Sequence, residues 1–340
     1  MGSVDRVWET LDGADRILIS SHVQPDGDAI GSELALGFIL RGAGRSFRIV
    51  NESPIPDLYG FLPGIQWVET WPAAIDDEFD VFVALDCGRR NRLGANIEAI
   101  PHRTLVNIDH HVSNDAFGDV NWIESGVSST GEILVELADR AGIPLGEDLA
   151  TCLYTAILTD TGNFTFTNTT SRCHAVCARL IECGARPADI SRHLYRSKPI
   201  GKLRLQARLI QELEVDAKTR LAWGVLTREM CDEAGVGIND TLDLVTIPLS
   251  VEGVVLGILF RELEEPGRTK VSFRSEGDLD VSRLAKELGG GGHPTAAGCT
   301  LEMGVDKAVE LVVPLIRTGL VKRSATTMIR RLRQQTPKKV

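Results

Sequence analysis

The chain has 340 residues, 43% of them hydrophobic, and a formal net charge of −10. That length buries a large core and favours two domains. The acidic balance argues against a broad electrostatic grip on long nucleic acid, though not against a small phosphorylated ligand accompanied by cations.

No run approaches the ~20 apolar residues of a membrane span. The opening residues lack a leader's basic-then-apolar pattern. The seven cysteines (Cys87, Cys152, Cys173, Cys177, Cys183, Cys231, Cys299) are scattered and odd in number, which reads as free thiols in a reducing compartment. The expected location is the cytoplasm, with no membrane partner.

In chain order, Arg16–Ser20 reads as the first strand and Ser32–Leu40 as the helix after it. Strands follow at Phe47–Val50, Val81–Leu85 and Thr104–Ile108, then helices at Thr130–Ala141, Leu149–Leu158 and His174–Cys183. Ser129-Thr-Gly-Glu132 has the form of a capping box, and Gly184 of a C-cap. This β-α alternation predicts an α/β fold with a doubly wound, mainly parallel sheet.

Residues 187–213 read as a helical connector, polar and basic, with no strong core face. Beyond it, Leu221–Leu226, Val245–Pro248, Val254–Phe260 and Lys270–Phe273 read as strands and Val281–Glu287 as a helix, which suits a smaller α+β domain. The expected organisation is a catalytic, metal-binding domain over 1–186, the connector, a substrate-binding domain over 214–320 and a basic tail over 321–340. The tail holds Lys322, Arg323, Arg330, Arg331, Arg333, Lys338 and Lys339 with no acid; it reads as a solvated terminus, with a phosphate-backbone contact as the minority reading.

The chemistry concentrates where apolar strands end. Ser21-His22-Val-Gln-Pro-Asp26-Gly-Asp28 follows the first strand, Asp86 closes the Val81–Leu85 strand, and Asp109-His110-His111 closes Thr104–Ile108. Ionisable groups beside a core are costly unless something compensates them, and in an open α/β sheet the carboxyl ends of the strands face the active site. Asp160, in Thr159-Asp160-Thr-Gly162, sits at the unfavourable end of a helix dipole.

Taken singly, His22 could be a surface histidine, Asp26-Gly-Asp28 a turn and Asp86 a helix cap; together on one sheet edge they read as a site. The donor set is rich in oxygen, includes imidazole and lacks thiolate, which favours octahedral Mn²⁺ or Mg²⁺ over structural zinc. It exceeds the needs of one ion, so the expected centre has two ions about 3.5–4 Å apart, bridged by one carboxylate and suited to phosphoester or phosphoanhydride hydrolysis. His102 and His193 read as ordinary surface histidines. Cys173-His174-x-x-Cys177 reads as helix packing.

In the second half, Gly289-Gly-Gly-Gly292-His293 follows a helix. Its glycines Gly289, Gly290, Gly291 and Gly292 permit positive φ and close backbone approach, so that amides can face a phosphate. A flexible loop is the plainer reading of the glycines alone. His293, and Arg274 at a strand end, add donors suited to an anion and point to substrate recognition.

These boxes, in this order over roughly residues 14–305, resemble the DHH/DHHA1 phosphoesterases, with Asp109-His110-His111 as the family's name-giving triplet. Length and the glycine-rich box are most similar to the stand-alone branch of oligoribonucleases that also dephosphorylate 3′-phosphoadenosine-5′-phosphate. The resemblance implies a catalytic DHH domain followed by a DHHA1 domain. It implies that His22, Asp26 and Asp86 hold one Mn²⁺, and that Asp28, Asp86, His110 and Asp160 hold the other, with Asp86 bridging. It further implies that Asp109 orients a histidine, that His111 contacts the scissile phosphate, and that Arg274, Gly289–Gly292 and His293 fix the substrate's far phosphate or terminal nucleotide. Pro294 departs from the polar or basic residue that relatives often carry after the histidine.

The expected partners are therefore short RNA oligonucleotides or small phosphorylated nucleotides, not long duplex nucleic acid, and a homodimer is left open. Cyclic di-AMP or its linear product pApA is the rival substrate. A non-catalytic nucleotide- or RNA-binding module is the alternative from another class, and the intact ligand set argues against it.

Overall fold

A computed structural model of the protein describes residues 3–72, 75, 78–196, 198–276, 279–292 and 294–317, apart from the side chains at 239, 240 and 242. His293 and the basic tail over 321–340 lie outside the described residues. The chain divides into two compact units, Met1–Ser197 and Lys198–Val340.

The first unit opens with an amphipathic helix, α1 (Ser3–Asp12), for which the sequence reading made no assignment. Then follow β1 (Arg16–Ser20), α2 (Gly27–Gly42), β2 (Ser46–Asn51), β3 (Val68–Thr70), β4 (Phe79–Leu85), a single-turn α3 (Ala95–Glu98), β5 (His102–Asp109) and β6 (Val120–Ile123). Helices α4 (Thr130–Ala141), α5 (Glu147–Asp160), α6 (Ser171–Glu182) and α7 (Pro187–Ser191) complete the unit. The sheet runs β3-β2-β1-β4-β5-β6, and every pairing is parallel. The chain begins in the middle, winds outward to β3, then returns to the other side of β1. The switch between β1 and β4 leaves a crevice at their carboxyl ends.

Helix α2 is buried along nearly its whole length, from Gly27 to Leu40, which explains why its apolar residues show no single stripe. Gly31 lets it lie directly on α5: a Cβ there would stand 2.7 Å from the Cys152 carbonyl oxygen. At α4, Ser129 caps as expected by accepting from the Glu132 amide. The reciprocal half of the box is shifted, because the Glu132 carboxylate accepts from the amide and hydroxyl of Ser128. Cys173 and Cys177 pack in the apolar core as free thiols.

The second unit comprises α8 (Ile200–Gln211), β7 (Glu214–Asp216), β8 (Leu221–Leu226), α9 (Arg228–Ala234), β9 (Leu256–Glu262), β10 (Thr269–Ser275), α10 (Val281–Glu287), β11 (Gly291–Gly292) and β12 (Ala296–Leu301). Residues 305–317 form a further helix. The sheet order is β11-β12-β10-β9-β8-β7, antiparallel except for β8 with β9.

Two expectations need correction. Val245–Pro248 is not a strand: Ile238–Thr246 and Pro248–Ser250 form 3₁₀ turns. Pro248 lacks the donor a ladder needs, and the hydroxyls of Thr241 and Thr246 bond back to the carbonyls of Ile238 and Asp243, a local alternative to strand pairing. The stretch 187–213 does have a core face, since Leu205 and Leu209 on α8 are fully buried at i, i+4 spacing and pack with Leu226, Met230 and Leu259. Among the described residues no helix is long and apolar enough to cross a membrane.

Candidate metal centre

Three strand ends and one helix end converge in the first unit. After β1 the chain turns through Gln24, at φ 56°, into Asp26, whose carboxylate caps α2 by accepting from the amides of Asp28 and Ala29. His22 stands before that turn. Its Nδ1 lies 2.9 Å from the Val23 carbonyl oxygen, a contact that protonates Nδ1 and leaves Nε2 with its lone pair free. Nε2 faces Asp86 Oδ2 at 3.7 Å and Asp26 Oδ2 at 3.9 Å.

Asp86, the first residue after β4, takes a left-handed φ of 50°, strained for a residue with a Cβ and held by the hydrogen bond that its backbone N–H donates to the Ile108 carbonyl. Its Oδ1 accepts from the Thr130 hydroxyl at 3.2 Å and lies 3.5 Å from His110 Nε2. His110 Nε2 is also 3.7 Å from Asp28 Oδ2 and 3.6 Å from Asp160 Oδ2. Asp28 is fixed from behind by the first amides of α4, those of Thr130 and Gly131 at 2.7 and 3.0 Å, and by the Ser32 hydroxyl at 3.1 Å. Asp160 ends α5, where Asn168 donates to its carboxylate at 3.3 Å.

The separations among these donors run from 3.5 to 3.9 Å. Hydrogen bonds are shorter. Two ligands each about 2.1 Å from one ion stand about 3 Å apart at right angles and about 4 Å apart when opposed, which brackets the observed values. Two donor groups, His22-Asp26-Asp86 and Asp28-His110-Asp160, each gather within the span of a single ion. Asp86 turns one oxygen to each.

Burial, first of all, pushes the carboxyls of Asp28, Asp86 and Asp160 well above the usual carboxylate range, and their mutual repulsion adds to it. Burial likewise depresses His22. Such a cluster cannot carry its full negative charge alone, and divalent cations would resolve the conflict. The donor set thus fits Mn²⁺ or Mg²⁺ on its own chemistry.

His111 joins Asp86, Asp109 and His110 in a third donor group, with its Nδ1 3.6 Å from Asp86 Oδ1, but a carboxylate holds it more closely. Its Nδ1 lies 2.6 Å from Asp109 Oδ1, and Asn114 donates to the other Asp109 oxygen at 2.5 Å. Burial works against the charge on both partners, yet the pairing outweighs it: Asp109 stays below the usual carboxylate range and His111 rises above the usual imidazole value. Sequence spacing gave no sign of Thr130, Asn114, Asn168 or Arg92. The last is an exposed side chain whose Nη2 approaches His22 Nδ1 to 3.1 Å; since Nδ1 already serves the Val23 carbonyl, this guanidinium remains available to an anion.

In the second unit Arg274 is half-buried near the end of β10, in register with Gly257 and Ala296. Its guanidinium donates to the Phe273 carbonyl at 3.0 Å, and burial lowers its pKa. The glycine run has a structural duty as well. A Cβ at Gly290 would stand 2.1 Å from the Gly298 carbonyl oxygen, and one at Gly292 2.5 Å from Ala297 Cα, so the β11–β12 approach needs both. Gly289, at φ 80°, and Gly291 face open space.

A parallel α/β unit with an aspartate–histidine centre at its switch point, followed by a smaller mixed-sheet unit, defines a hydrolase of the phosphoesterase type. The family models agree in detail. "DHH family, N-terminal domain" matches residues 16–157 and "DHHA1 domain" matches residues 239–318; the chain belongs to the DHH phosphoesterase family. It is 33% identical over 328 residues to the bifunctional oligoribonuclease and PAP phosphatase NrnA of Thermus thermophilus, covering 95% of each chain. It is 27% identical to the Bacillus subtilis NrnA, covering 86% of this chain and 91% of that one. An exopolyphosphatase-related protein of Bacteroides fragilis, a solved structure, matches with a TM-score of 0.87 at 29% identity, over 94% of this chain and 96% of that one.

Proposed function

We propose that the protein hydrolyses short oligoribonucleotides from an end and removes a phosphate from 3′-phosphoadenosine-5′-phosphate, using two Mn²⁺ ions. The observation that carries the metal reading is the disposition of Asp86, whose two oxygens face two separate donor groups. The choice of substrate leans on the NrnA relatives, which are named for these two activities.

His22, Asp26 and Asp86 would hold one ion and Asp28, Asp86, His110 and Asp160 the other. Bound there, the pair supplies an activated water and neutralises charge on the transferring phosphoryl group. The chain's own contribution is positional and electrostatic. Asp86 would be shared by the two ions, and the amides at the start of α4 hold Asp28 in place. His111, kept protonated by Asp109, presents its Nε2 proton to the scissile phosphate or to the departing oxygen. Arg274, the open glycines Gly289 and Gly291, and His293 receive the substrate's far phosphate or terminal nucleotide.

A second reading is hydrolysis of cyclic di-AMP or pApA. It is favoured by the 27% identity to the cyclic-di-AMP phosphodiesterase PdeA of Listeria monocytogenes, of which this chain spans 46%. A non-catalytic nucleotide-binding module is disfavoured by a donor set with every carboxylate in place. The test is a panel of a diribonucleotide, a long RNA, 3′-phosphoadenosine-5′-phosphate, pApA and cyclic di-AMP, each with and without Mn²⁺. Metal-dependent turnover of the diribonucleotide and the bisphosphorylated nucleotide is expected. Faster turnover of cyclic di-AMP would favour the second reading, and no turnover of any substrate would remove the enzymatic one.

A further inference from the structure

The geometry points to Glu33 as a positioning residue for His22: through Asn51 and Ser21 its buried carboxyl fixes the segment from which the imidazole projects, and ties it to the helix that carries Asp26 and Asp28. Glu33 lies in the middle of α2 and is 0% exposed. A carboxyl at such a position is costly unless it is used.

The connection runs through the sheet edge where β1 stops. Ile19 is the last β1 residue registered on β2, opposite Ile49. Beyond it the pairing with β2 ends, though Ser20 still registers on β4 opposite Ala84, and the side chain of Asn51, the last residue of β2, takes over as acceptor on the β2 side. Asn51 Oδ1 receives the Ser20 hydroxyl at 3.2 Å and the Ser21 amide at 3.3 Å. Because a backbone amide only donates, the oxygen of the carboxamide must face Ser21, and Nδ2 must point the other way. There it meets Glu33 Oε2 at 2.9 Å. Without that acceptor nothing would choose between the two orientations of the amide, and one of them sets Nδ2 against the Ser21 N–H. Further along, the Gln24 amide donates to the Ser53 hydroxyl at 3.0 Å, so the whole His22 turn is referenced to the end of β2.

A second observation closes the network. Glu33 Oε1 and the Ser21 hydroxyl oxygen are both buried, and neither has a hydrogen-bond partner among the described residues. The Ser21 hydroxyl acts on the Glu33 carboxyl, and a single proton between the two oxygens would satisfy both, donated by the serine to a carboxylate or by a carboxylic acid to the serine. Burial pushes the Glu33 carboxyl up to about 7, against the pull of Ser21 and Asn51, so both forms are accessible near neutrality. Glutamine would serve the same contacts, accepting from Asn51 and donating to Ser21. An apolar residue would strand Asn51 Nδ2.

The consequence for metal binding rests on the two-metal reading above, and the test separates the two. Glu33→Met, Glu33→Gln and His22→Ala are stripped with chelator and titrated with Mn²⁺ by calorimetry, while amide exchange is followed over residues 19–25. Partners that orient a metal ligand are worth about 10-fold or more in affinity. Glu33→Met is expected to weaken one class of Mn²⁺ site by about 10-fold and to speed exchange at Ser21 and His22, whereas Glu33→Gln restores both to within about 2-fold of the parent. On a His22→Ala background, Glu33→Met should cost no more than about a further 2-fold, the non-additivity of residues acting through one another.

Parent-like affinity and exchange in Glu33→Met, whatever its melting temperature, would overturn the proposal. If that variant does not fold, Ser21→Ala removes the hydroxyl without touching α2, and unchanged exchange and affinity there overturn it equally. If the parent takes up no Mn²⁺, the metal reading falls, and the exchange data alone still decide whether Glu33 holds the His22 segment.

Discussion

Asp109 Oδ1 and His111 Nδ1 stand 2.6 Å apart, so that the carboxylate engages the imidazole through Nδ1. His110, its neighbour in sequence, instead directs Nε2 at three carboxylates. Adjacent histidines at one strand end thus have different tasks, one suited to a metal and one to a proton. His111→Gln should lower kcat by about 10²–10⁴-fold, the usual worth of a positioned acid, with little change in Mn²⁺ affinity. Asp109 raises the His111 pKa, so activity that needs the imidazolium persists to higher pH than a free histidine would allow and falls as pH rises past the raised value. Asp109→Asn should move that alkaline limb to lower pH. A limb that stays in place would remove His111 from the role of proton donor.

Asp86 offers a sharper dissection of activity from stability. In the metal-free protein its buried carboxyl is repelled by Asp26, Asp109 and Asp160. Asp86→Asn should therefore melt no lower than the parent in chelator, while turnover falls on the order of 10³-fold. Mn²⁺ at about 100 times its dissociation constant should raise the parent's melting temperature by roughly 5–10 °C and that of Asp86→Asn by much less. Calorimetric scans of both proteins with and without metal check this, and an equal rise in the two would contradict the bridging assignment.

Glu33 also makes a prediction about pH. Its folded-state value, about 7, lies above the 4.5 of an ordinary glutamate, so the folded protein holds the proton more tightly than the unfolded chain does. The stability this contributes is complete below pH 4.5 and is lost as pH climbs through about 7, a swing of roughly 3 kcal/mol by linkage. Glu33→Gln has no such proton. In urea titrations with chelator present, the stability of the parent relative to Glu33→Gln should fall across that window and stay level above it. The raised carboxyls of Asp28, Asp86 and Asp160 are common to both proteins and drop out of the comparison.

The strand ends were legible because ionisable residues closing apolar runs are rare without a reason; Asp86 and Asp109-His110-His111 directly follow such runs, and His22 comes two serines after one. Asp160 was legible as an acid at the wrong end of a helix dipole. Thr130 was not: the contact between its amide and Asp28 spans 102 residues, and locally Ser129–Glu132 says only that a helix begins. Glu33 was missed because it sits in an apolar helix whose acid looks like a solvated face until α2 proves buried on all sides. The Val245–Pro248 strand failed for the reverse reason, since its β-branched composition matched a strand while proline and the threonine hydroxyls favoured tight turns.

Arg274 is the residue on which binding and chemistry separate most cleanly. It belongs to the second unit, with no carboxylate partner among the described residues, and burial already lowers its pKa. A guanidinium kept partly out of water and unpaired gains most when an anion arrives. If it receives the phosphate remote from the reacting bond, its interaction is the same in the ground and transition states. Arg274→Ala should then raise KM by about 10-fold or more with kcat nearly unchanged, the signature of uniform binding. Arg274→Lys keeps the charge but not the fork, and should recover only part of the loss. Steady-state kinetics on a diribonucleotide measure both constants, and a fall in kcat at unaltered KM would place Arg274 at the reacting phosphate instead.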